Sequence, residues 1–397
     1  MLDSISETNK IKSQEKVDLR QKILVLFGTR PEVIKLAPII HELEKRFFQT
    51  VIVSSSQHKD LLKPFLKMLK IETDFDLRVM KKDQTPSQVC ARVLVKLDAV
   101  LEAEKPDLIL VQGDTTTALA GALAGFNRKI PVGHVEAGLR SGNLQSPFPE
   151  EMNRRLISQI AVFHFAATES NRTNLLNEQV SSEKIFVTGN TVVDTLQHIL
   201  KNLTPGRKIN ELIEATANQK RILLTTHRRE SFGDAMSGNL KVLRDFVEKR
   251  KDVCLIFPVH PNPNVREITG EILSGQPRIH LIEPLDYTDF VALMKESWLI
   301  VSDSGGIQEE APSLGKPLFV LRENTERPEA IRSGVAKLVG GNPRKLKMML
   351  EENYAVPTWI KSVGEVSNPF GDGKSAKRIT RIIEEKLNPK ASRKASV

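Results

Sequence analysis

The sequence predicts an α/β protein of two doubly wound domains, each built on a parallel sheet, with a cleft between them. Short apolar runs alternate with amphipathic stretches along the chain, which is the pattern of repeated strand–helix units. The 397 residues exceed the roughly 250–300 residues that one hydrophobic core supports. A polar stretch at 201–219, with Pro205-Gly206 inside it, is the best linker candidate.

The first half begins with KILVLFG at 22–28, an apolar run of strand length. Pro31 fits the first turn of the next helix, and Pro38 is expected to kink that helix. The segment Thr85-Pro86-Ser87-Gln88 has the form of a capping box and opens a helix that should run to about Glu104. The other elements predicted here are strands at 51–55, 107–113 and 130–138, helices at 115–126 and about 150–163, and the strands HFAAT and IFVTG.

The second half repeats this alternation, so it predicts a second parallel sheet with helices on both faces. Its predicted strands are RILLTTH (221–227), VCLIFPV (253–259), IHLIE (279–283), WLIVSDS (298–304) and PLFVL (317–321). The predicted organisation is an N-terminal extension at 1–21 whose composition favours disorder, a first domain at 22–190, a second domain at 191–370, a helix at 371–387 packing back on the first domain, and a basic tail at 388–397.

Composition argues against several classes of protein. Much of the net charge of +9 comes from the C-terminal segment that starts at Lys374, and no basic run is interleaved with aromatic residues, so nucleic acid is not an expected partner. The two cysteines, Cys90 and Cys254, have neither disulfide nor zinc spacing, which suits a reducing compartment. The sequence shows no secretory signal and no apolar run of membrane-spanning length, so a cytoplasmic protein without a membrane partner is expected.

Polar and charged residues follow nearly every predicted strand. Ligands of open parallel sheets sit at the carboxyl ends of the strands, so these residues should meet in one cleft. They are Gly28-Thr29-Arg30, Gly113-Asp114-Thr115, Glu136-Ala137-Gly138, His227-Arg228-Arg229-Glu230, His260-Pro261-Asn262, Asp303-Ser304-Gly305-Gly306 and Arg322-Glu323.

Two interpretations fit the turn Ser304-Gly305-Gly306, which leads from a strand into a helix. Paired glycines at a helix N-terminus can bind an anion through backbone N–H groups, but Ser304 can also simply cap the helix. Arg30, Lys35 and Arg327 add cations near other helix starts, and together they suit a diphosphate held between two domains. A GxGxxG motif is missing from every strand–helix turn, so a nicotinamide cofactor is not expected.

Four residues are candidates for acid–base chemistry, namely Asp114, Glu136, Glu150 and His227. Glu136 follows an apolar strand, so we expect burial to raise its pKa, as a general base working near neutrality requires. For Glu150 alone, interaction with the dipole of its helix is the simpler explanation. His227 lies beside other charged residues at a strand end, which favours function over a structural role.

Nine ordered motifs closely resemble those of the non-hydrolysing UDP-N-acetylglucosamine 2-epimerases, from about residue 22 to about residue 387. They are GTRPEVIKLAP (28–38), GDTTT (113–117), HVEAGLRSG (134–142), SPFPEEMNR (146–154), TGNTVVDTL (188–196), HRRESFG (227–233), PVHPNPNV (258–265), DSGGIQEEAPSLGKP (303–317) and ERPEA (326–330). The resemblance implies a glycosyltransferase-B-like fold of two Rossmann-like domains, the second binding the nucleotide. It also implies a homodimer, a UDP-sugar substrate, and neither metal nor nicotinamide cofactor.

The resemblance further implies reversible C2 epimerisation of UDP-N-acetylglucosamine to UDP-N-acetylmannosamine, by loss and readdition of UDP through a 2-acetamidoglucal, as a precursor for cell-surface polysaccharide. The implied acid–base residues are Asp114, Glu136, Glu150 and His227; the implied substrate-binding residues are Arg30, Lys35, Phe290, Ser304, Gly305, Gly306, Glu310 and Arg327. A second, activating UDP-sugar site would involve Gln57, His58, Arg228 and His260. A hydrolysing epimerase, a glycosyltransferase and a non-catalytic nucleotide-sugar-binding regulator stay open as alternatives.

Two positions depart from the family pattern. Asp83 stands where some regulated members carry arginine, and its carboxylate would repel a diphosphate, so we expect weakened allosteric activation. Leu285 replaces a glutamine found near the uracil in some relatives, so contacts to the base are expected to come from backbone groups.

Overall fold

The structure is a computed structural model that describes residues 20–46, 48–56, 59–226 and 234–388. The first sheet contains β1 (Lys22–Phe27), β2 (Gln49–Ser54), β3 (Phe75–Asp76), β4 (Leu108–Gln112), β5 (Val132–Ala137), β6 (Phe163–Ala166) and β7 (Ile185–Val187). The helices of this domain are α1 (Arg30–Lys45), α2 (Lys59–Met68), α3 (Pro86–Glu104), α4 (Thr116–Asn127), α5 (Glu150–Ile160) and α6 (Glu169–Asn177).

Two further helices, α7 (Thr191–Lys201) and α8 (Arg207–Ala215), lead to the second sheet. Its strands are β8 (Lys220–Thr225), β9 (Val253–Pro258), β10 (Ile279–Ile282), β11 (Leu299–Ser302), β12 (Leu318–Val320) and β13 (Ala336–Leu338). The helices that follow α8 are α9 (Asp234–Glu248), α10 (Pro263–Leu273), α11 (Tyr287–Lys295), α12 (Gly305–Glu310), α13 (Pro328–Arg332), α14 (Pro343–Ala355), α15 (Thr358–Ser362) and α16 (Ser375–Leu387).

Both sheets are parallel throughout the described residues, which confirms the predicted fold class. The strand orders are β3-β2-β1-β4-β5-β6-β7 and β10-β9-β8-β11-β12-β13. The order reverses between β1 and β4 in the first sheet and between β8 and β11 in the second. Ligands of doubly wound sheets bind outside the strand ends at such reversals. The residues that follow these four strands are therefore the ones placed to form a site.

Local sequence accounts for most of these elements. Most strands of both sheets are largely apolar because helices cover both faces, as in β4, where every residue is buried. The capping box at Thr85 is present, with Thr85 Oγ1 accepting from the backbone N–H of Gln88 and Gln88 Oε1 accepting from that of Thr85. The helix that it opens runs from Pro86 to Glu104, as predicted.

The elements that were not predicted include the short strands β3 and β13, the helices α2, α14 and α15, and the helix α8. The last is a correction, because α8 lies inside the polar stretch that we expected to be a plain linker. Its Ile209 is buried, and Leu212 and Ile213 pack partly buried against the same apolar cluster. The apolar residues therefore recur at helical spacing, and the polar residues around them led to the linker prediction.

Helices α7 and α16 join the two domains. Helix α7 packs against α1 of the first domain and against α11 and α12 of the second. Helix α16 packs on α1 and α7, with an ion pair of 2.6 Å between Arg46 Nη1 and Glu384 Oε2. One apolar cluster runs through this junction and includes Leu36, Leu196 and Ile307. The facing ends of the sheets are therefore held by a shared core. Within the described residues, the helices are too short or too polar to cross a membrane.

Candidate functional site

A β-bulge at the carboxyl end of β5 sets the position of Glu136. The register with β6 shifts between Val135 and Ala137, and Glu136 itself has φ +64°, in the left-handed region that side-chain-bearing residues rarely adopt. Bulges redirect a side chain, and strained backbone of this kind clusters at functional sites. The residue is 8% exposed, so the strand end places a carboxylate in the protein interior.

Hydrogen-bond donors and cations surround this carboxylate. Lys35 Nζ and Gln112 Nε2 both donate to it, and Asn190 Nδ2 donates to Oε1 at 3.0 Å. Arg327 Nη2 lies 3.9 Å from the same oxygen. Glu136 therefore receives contacts from α1, from β4, from the start of α7 and from the second domain.

The charge state of Glu136 corrects the sequence prediction. Burial raises the pKa of its carboxyl, as expected, but Lys35 and Arg327 outweigh burial and hold the pKa below its usual range. The prediction of a raised pKa was wrong because it considered desolvation alone. In the structure Glu136 is an ionised, weakly basic carboxylate.

Glu309 completes this group, and sequence reasoning missed it. Its Oε2 lies 3.0 Å from Lys35 Nζ, and its Oε1 accepts from Arg327 Nε at 2.6 Å. The four residues Lys35, Glu136, Glu309 and Arg327 form what we call the inter-domain charge cluster, and each is at most 8% exposed. Burial and the neighbouring Glu136 raise the pKa of the Glu309 carboxyl, while Arg327 and Lys35 oppose the shift.

The turn before α12 lies against this cluster. Ser304 occupies the N-cap position, but its side chain makes no capping hydrogen bond, so the simple capping interpretation is not what the structure shows. A Cβ on Gly305 would lie 2.6 Å from Arg327 Nη1, so the close approach of the guanidinium requires glycine there. At Gly306 the nearest atom to such a Cβ is Ser304 Oγ at 3.9 Å, which leaves room at the helix start.

Glu310 and Arg30 form a neighbouring polar group. Tyr287 donates its hydroxyl to Glu310 Oε1, and burial raises the pKa of Glu310 to about 7. Arg30 interacts electrostatically with Glu310, and its guanidinium carbon lies 5.2 Å from the centre of the Phe65 ring. Phe290 is half-buried one turn beyond Tyr287 on α11. Arg30 of the first domain and Glu310 of the second therefore meet at the interface between the domains.

Asp114 is held by the helix that begins with Glu150. Arg154 Nη2 lies 2.6 Å from Asp114 Oδ2, and Asn153 Nδ2 donates to the backbone carbonyl of Asp114 at 2.8 Å. Glu150 is half-buried at the first position of the same helix, α5. The turn after β4 is thereby fixed to the N-terminal end of α5.

A buried histidine holds the turn after β4 through a hydrogen bond. His134 is fully buried, and its Nε2–H donates to the carbonyl oxygen of Gly113 at 2.7 Å. Burial lowers the pKa of His134 to about 3, so the ring is neutral at physiological pH. A Cβ on Gly113 would lie 3.6 Å from Glu136 Oε2, which places this turn beside the charge cluster.

Four predicted residues, His227, Arg228, Gln57 and His58, lie outside the described residues. The residue before His227 is described, and Thr226 Oγ1 donates to Asp303 Oδ2 at 2.9 Å. His260 is exposed after β9, and its Nδ1 accepts from the backbone N–H of Asn262 at 3.2 Å. It lies on a different strand end from the charge cluster.

The structure therefore brings Lys35, Glu136 and Arg327 into direct contact and adds Glu309 and Asn190. The motif containing Asn190 was recognised, but nothing in it distinguished the asparagine from its neighbours. For Glu309 the available signal was its place beside Glu310 at the start of α12.

Comparison with known proteins agrees with this architecture. The family model described as UDP-N-acetylglucosamine 2-epimerase matches residues 41–384. The UDP-N-acetylglucosamine 2-epimerase of Salmonella typhimurium is 46% identical over 374 residues, covering 91% of this chain and 98% of that protein.

Two solved structures extend the likeness to three dimensions. The UDP-GlcNAc 2-epimerase of Neisseria meningitidis bound to UDP-GlcNAc has a TM-score of 0.87 at 43% identity, covering 92% of this chain and 100% of that one. The enzyme of Methanocaldococcus jannaschii in complex with UDP-GlcNAc and UDP has a TM-score of 0.78 at 37% identity, covering 91% and 99%. With two parallel-sheet domains of the glycosyltransferase-B-like type and relatives this similar over nearly its whole length, the chain belongs to the UDP-N-acetylglucosamine 2-epimerase family.

Proposed function

We propose that the protein interconverts UDP-N-acetylglucosamine and UDP-N-acetylmannosamine by eliminating UDP to a bound 2-acetamidoglucal and adding it back. The observation that carries the proposal is the inter-domain charge cluster, in which the buried carboxylate of Glu136 faces Lys35 of its own domain and Arg327 of the other. The Neisseria relative bound to UDP-GlcNAc, and the Methanocaldococcus relative in complex with UDP-GlcNAc and UDP, support the substrate class.

The chemistry explains why such a site is needed. The proton on C2 of the sugar is not adjacent to a carbonyl, so it is weakly acidic, and its removal requires simultaneous departure of a good leaving group. A base takes the C2 proton while the C1–O bond breaks, UDP leaves with the electron pair, and a C1–C2 double bond forms. Returning a proton to the other face of C2, with readdition of UDP, inverts that carbon without net oxidation or reduction.

We assign these roles to two sets of residues. Asp114, Glu136, Glu150 and His227 supply the acid–base groups. The departing diphosphate is stabilised by Arg30, Lys35 and Arg327 together with the backbone N–H groups of the Ser304–Gly306 turn, and Glu310 and Phe290 hold the nucleoside. Closure of the two domains excludes water and retains the glucal. We place the reaction in the cytoplasm. Its product would be a precursor for cell-surface polysaccharide.

The direct test is incubation with UDP-N-acetylglucosamine in deuterium oxide, followed by proton NMR. We expect UDP-N-acetylmannosamine to appear and deuterium to enter C2 of both sugar nucleotides. A hydrolysing epimerase would instead release free N-acetylmannosamine and UDP in equal amounts. A non-catalytic regulator would give neither product nor deuterium exchange, and either result would contradict the proposal.

We also propose a homodimer formed through the first domain. Exposed apolar side chains lie on three neighbouring helices, Val95 on α3, Phe126 on α4 and Leu156 on α5, with exposed fractions of 74%, 65% and 44%. Large apolar side chains exposed on adjoining helices suit an interaction surface. Sedimentation should show a dimer that Phe126→Glu converts to a monomer. A monomeric wild type, or a dimer unaffected by this substitution, would contradict this placement.

A further inference from the structure

The inter-domain charge cluster continues into a second buried ion pair. Arg327 Nη1 lies 3.5 Å from Glu326 Oε2, and Glu326 pairs with Arg322 at 2.9 Å. The cations Lys35, Arg322 and Arg327 therefore face the carboxylates Glu136, Glu309 and Glu326. All six side chains are buried, so any added charge has little solvent to screen it.

We propose that Glu309 is a positioning residue that takes up a proton when a UDP-sugar binds, so that Glu136 stays ionised as the base. The inference rests on the proposed function, since its premise is that the diphosphate of the substrate contacts Lys35 and Arg327. A sugar nucleotide brings two negative charges to cations that already neutralise Glu136 and Glu309. Uncompensated buried charge is strongly unfavourable, and a proton from solvent removes part of it.

The contacts decide which of the two carboxyls takes the proton. Glu136 accepts hydrogen bonds from Gln112 and Asn190, which are neutral donors and remain in place when the cations turn toward a phosphate. Donors of this kind favour the ionised form. Glu309 lacks neutral donors of this kind in the described part of the chain: Arg327 bonds its Oε1 and Lys35 lies 3.0 Å from its Oε2. A hydrogen bond between the two carboxyls raises the pKa of Glu309 and lowers that of Glu136, so a proton between them resides on Glu309.

The charged and titratable groups around Glu309 agree with this assignment. Those facing it are Lys35 from α1, Glu136 from β5, Tyr287 from α11, Glu310 from its own helix, and Arg327 from the segment before α13, which is itself paired with Glu326. Loss of the two cations to a phosphate leaves Glu309 beside carboxyl groups and a phenol. The pKa of Glu309 already lies above its usual range and that of Glu136 below it, so the proton goes to Glu309 first.

Substrate binding therefore makes Glu136 a stronger base while it stays unprotonated. As Lys35 and Arg327 turn toward the diphosphate, Glu136 loses the cations that hold its pKa down. The solvent proton resides on Glu309 and leaves again with the product, so the cycle is balanced in protons. Glu136 remains free to accept the proton from C2.

Isothermal titration calorimetry of the full-length protein with UDP-N-acetylglucosamine counts these protons, from the dependence of the binding enthalpy on buffer ionisation enthalpy. Both phosphates of this probe are diesters without a proton near neutrality, and epimerisation consumes no proton. We expect uptake approaching one proton near pH 7.5 in the wild type and loss of that uptake in Glu309→Gln. Glu326→Gln is the matched control and should keep the uptake, because Arg327 and Arg322 overcome burial and lower the pKa of Glu326 to about 2.

The outcomes separate the two claims. Absence of binding would refute the proposed function. Binding without proton uptake, or equal uptake in the wild type and Glu309→Gln, would overturn the role of Glu309 alone. If Glu309→Gln does not fold, the wild type still decides the matter. Its dissociation constant should rise by up to about tenfold per pH unit where free Glu309 is ionised, and a flat profile would overturn the inference.

Discussion

Removal of the Lys35 charge should destabilise the protein, and removal of the Glu309 charge should partly reverse that effect. Lys35 is 6% exposed and contacts both Glu136 and Glu309. Lys35→Met keeps most of the aliphatic stem but leaves one buried negative charge in excess. Breaking a buried pair from one side costs about 3–5 kcal/mol, so we expect a loss of that size at pH 8.

The second substitution restores the charge balance. In Lys35→Met/Glu309→Gln, the cations Arg322 and Arg327 again face two carboxylates, Glu136 and Glu326. The double variant should therefore be more stable than the sum of the single effects predicts, by roughly 1–3 kcal/mol, within the range measured for residues in one network. The loss in Lys35→Met should also shrink as the pH falls, because a carboxyl that takes up a proton removes the excess charge.

Urea denaturation followed by circular dichroism at pH 8 and pH 6 measures these differences. Lys45→Met is a matched control on the same helix, because Lys45 is an exposed residue whose ion pair with Glu42 is 2.9 Å long. Exposed pairs contribute at most about 1 kcal/mol, so the control should change little. Additive effects of Lys35→Met and Glu309→Gln at both pH values would refute the account of the cluster.

Three further substitutions test separate parts of the structure. Gly305→Ala places a methyl group 2.6 Å from Arg327 Nη1; misplacing the guanidinium should lower kcat/KM on the order of 10²-fold, and steady-state kinetics showing no change would contradict that contact. Because the pKa of His134 is lowered to about 3, the unfolded chain binds a proton first as the pH falls below about 6.5. Stability should therefore drop toward pH 3 by up to about 1.4 kcal/mol per unit; His134→Gln should flatten that slope in urea denaturation, and an unchanged slope would contradict it. Asp83→Arg should make the rate more sigmoidal in substrate concentration than the wild type, and identical curves would show that Asp83 does not weaken activation.

The fold was predictable because strand and helix patterning is a local property. The apolar run of β4 and the capping box at Thr85 can be read from a few adjacent residues, and both appear in the structure as expected. The two strands that were not predicted carry little pattern. Strand β3 has two residues and β13 has three, too few to show an alternation.

The position of the site was predictable from the sequence, but the charge state of its residues was not. Glu136 was placed correctly at a buried strand end, yet its pKa depends on Lys35, which is 101 residues away, and on Arg327 in the other domain. Sequence alone cannot supply contacts made by the packing of two domains. The same limit explains Glu309, because nothing local shows which of two adjacent glutamates turns toward Lys35 and which toward Tyr287.

A crystal structure of the complex with UDP tests most directly whether one ligand joins the two domains at this cleft. We predict diphosphate oxygens at about 3 Å from the backbone nitrogens of Gly305 or Gly306 and from Lys35 or Arg327, with Glu136 facing the position of the sugar. UDP bound to one domain alone, with the ion pairs of Lys35 to Glu136 and Glu309 undisturbed, would contradict the account.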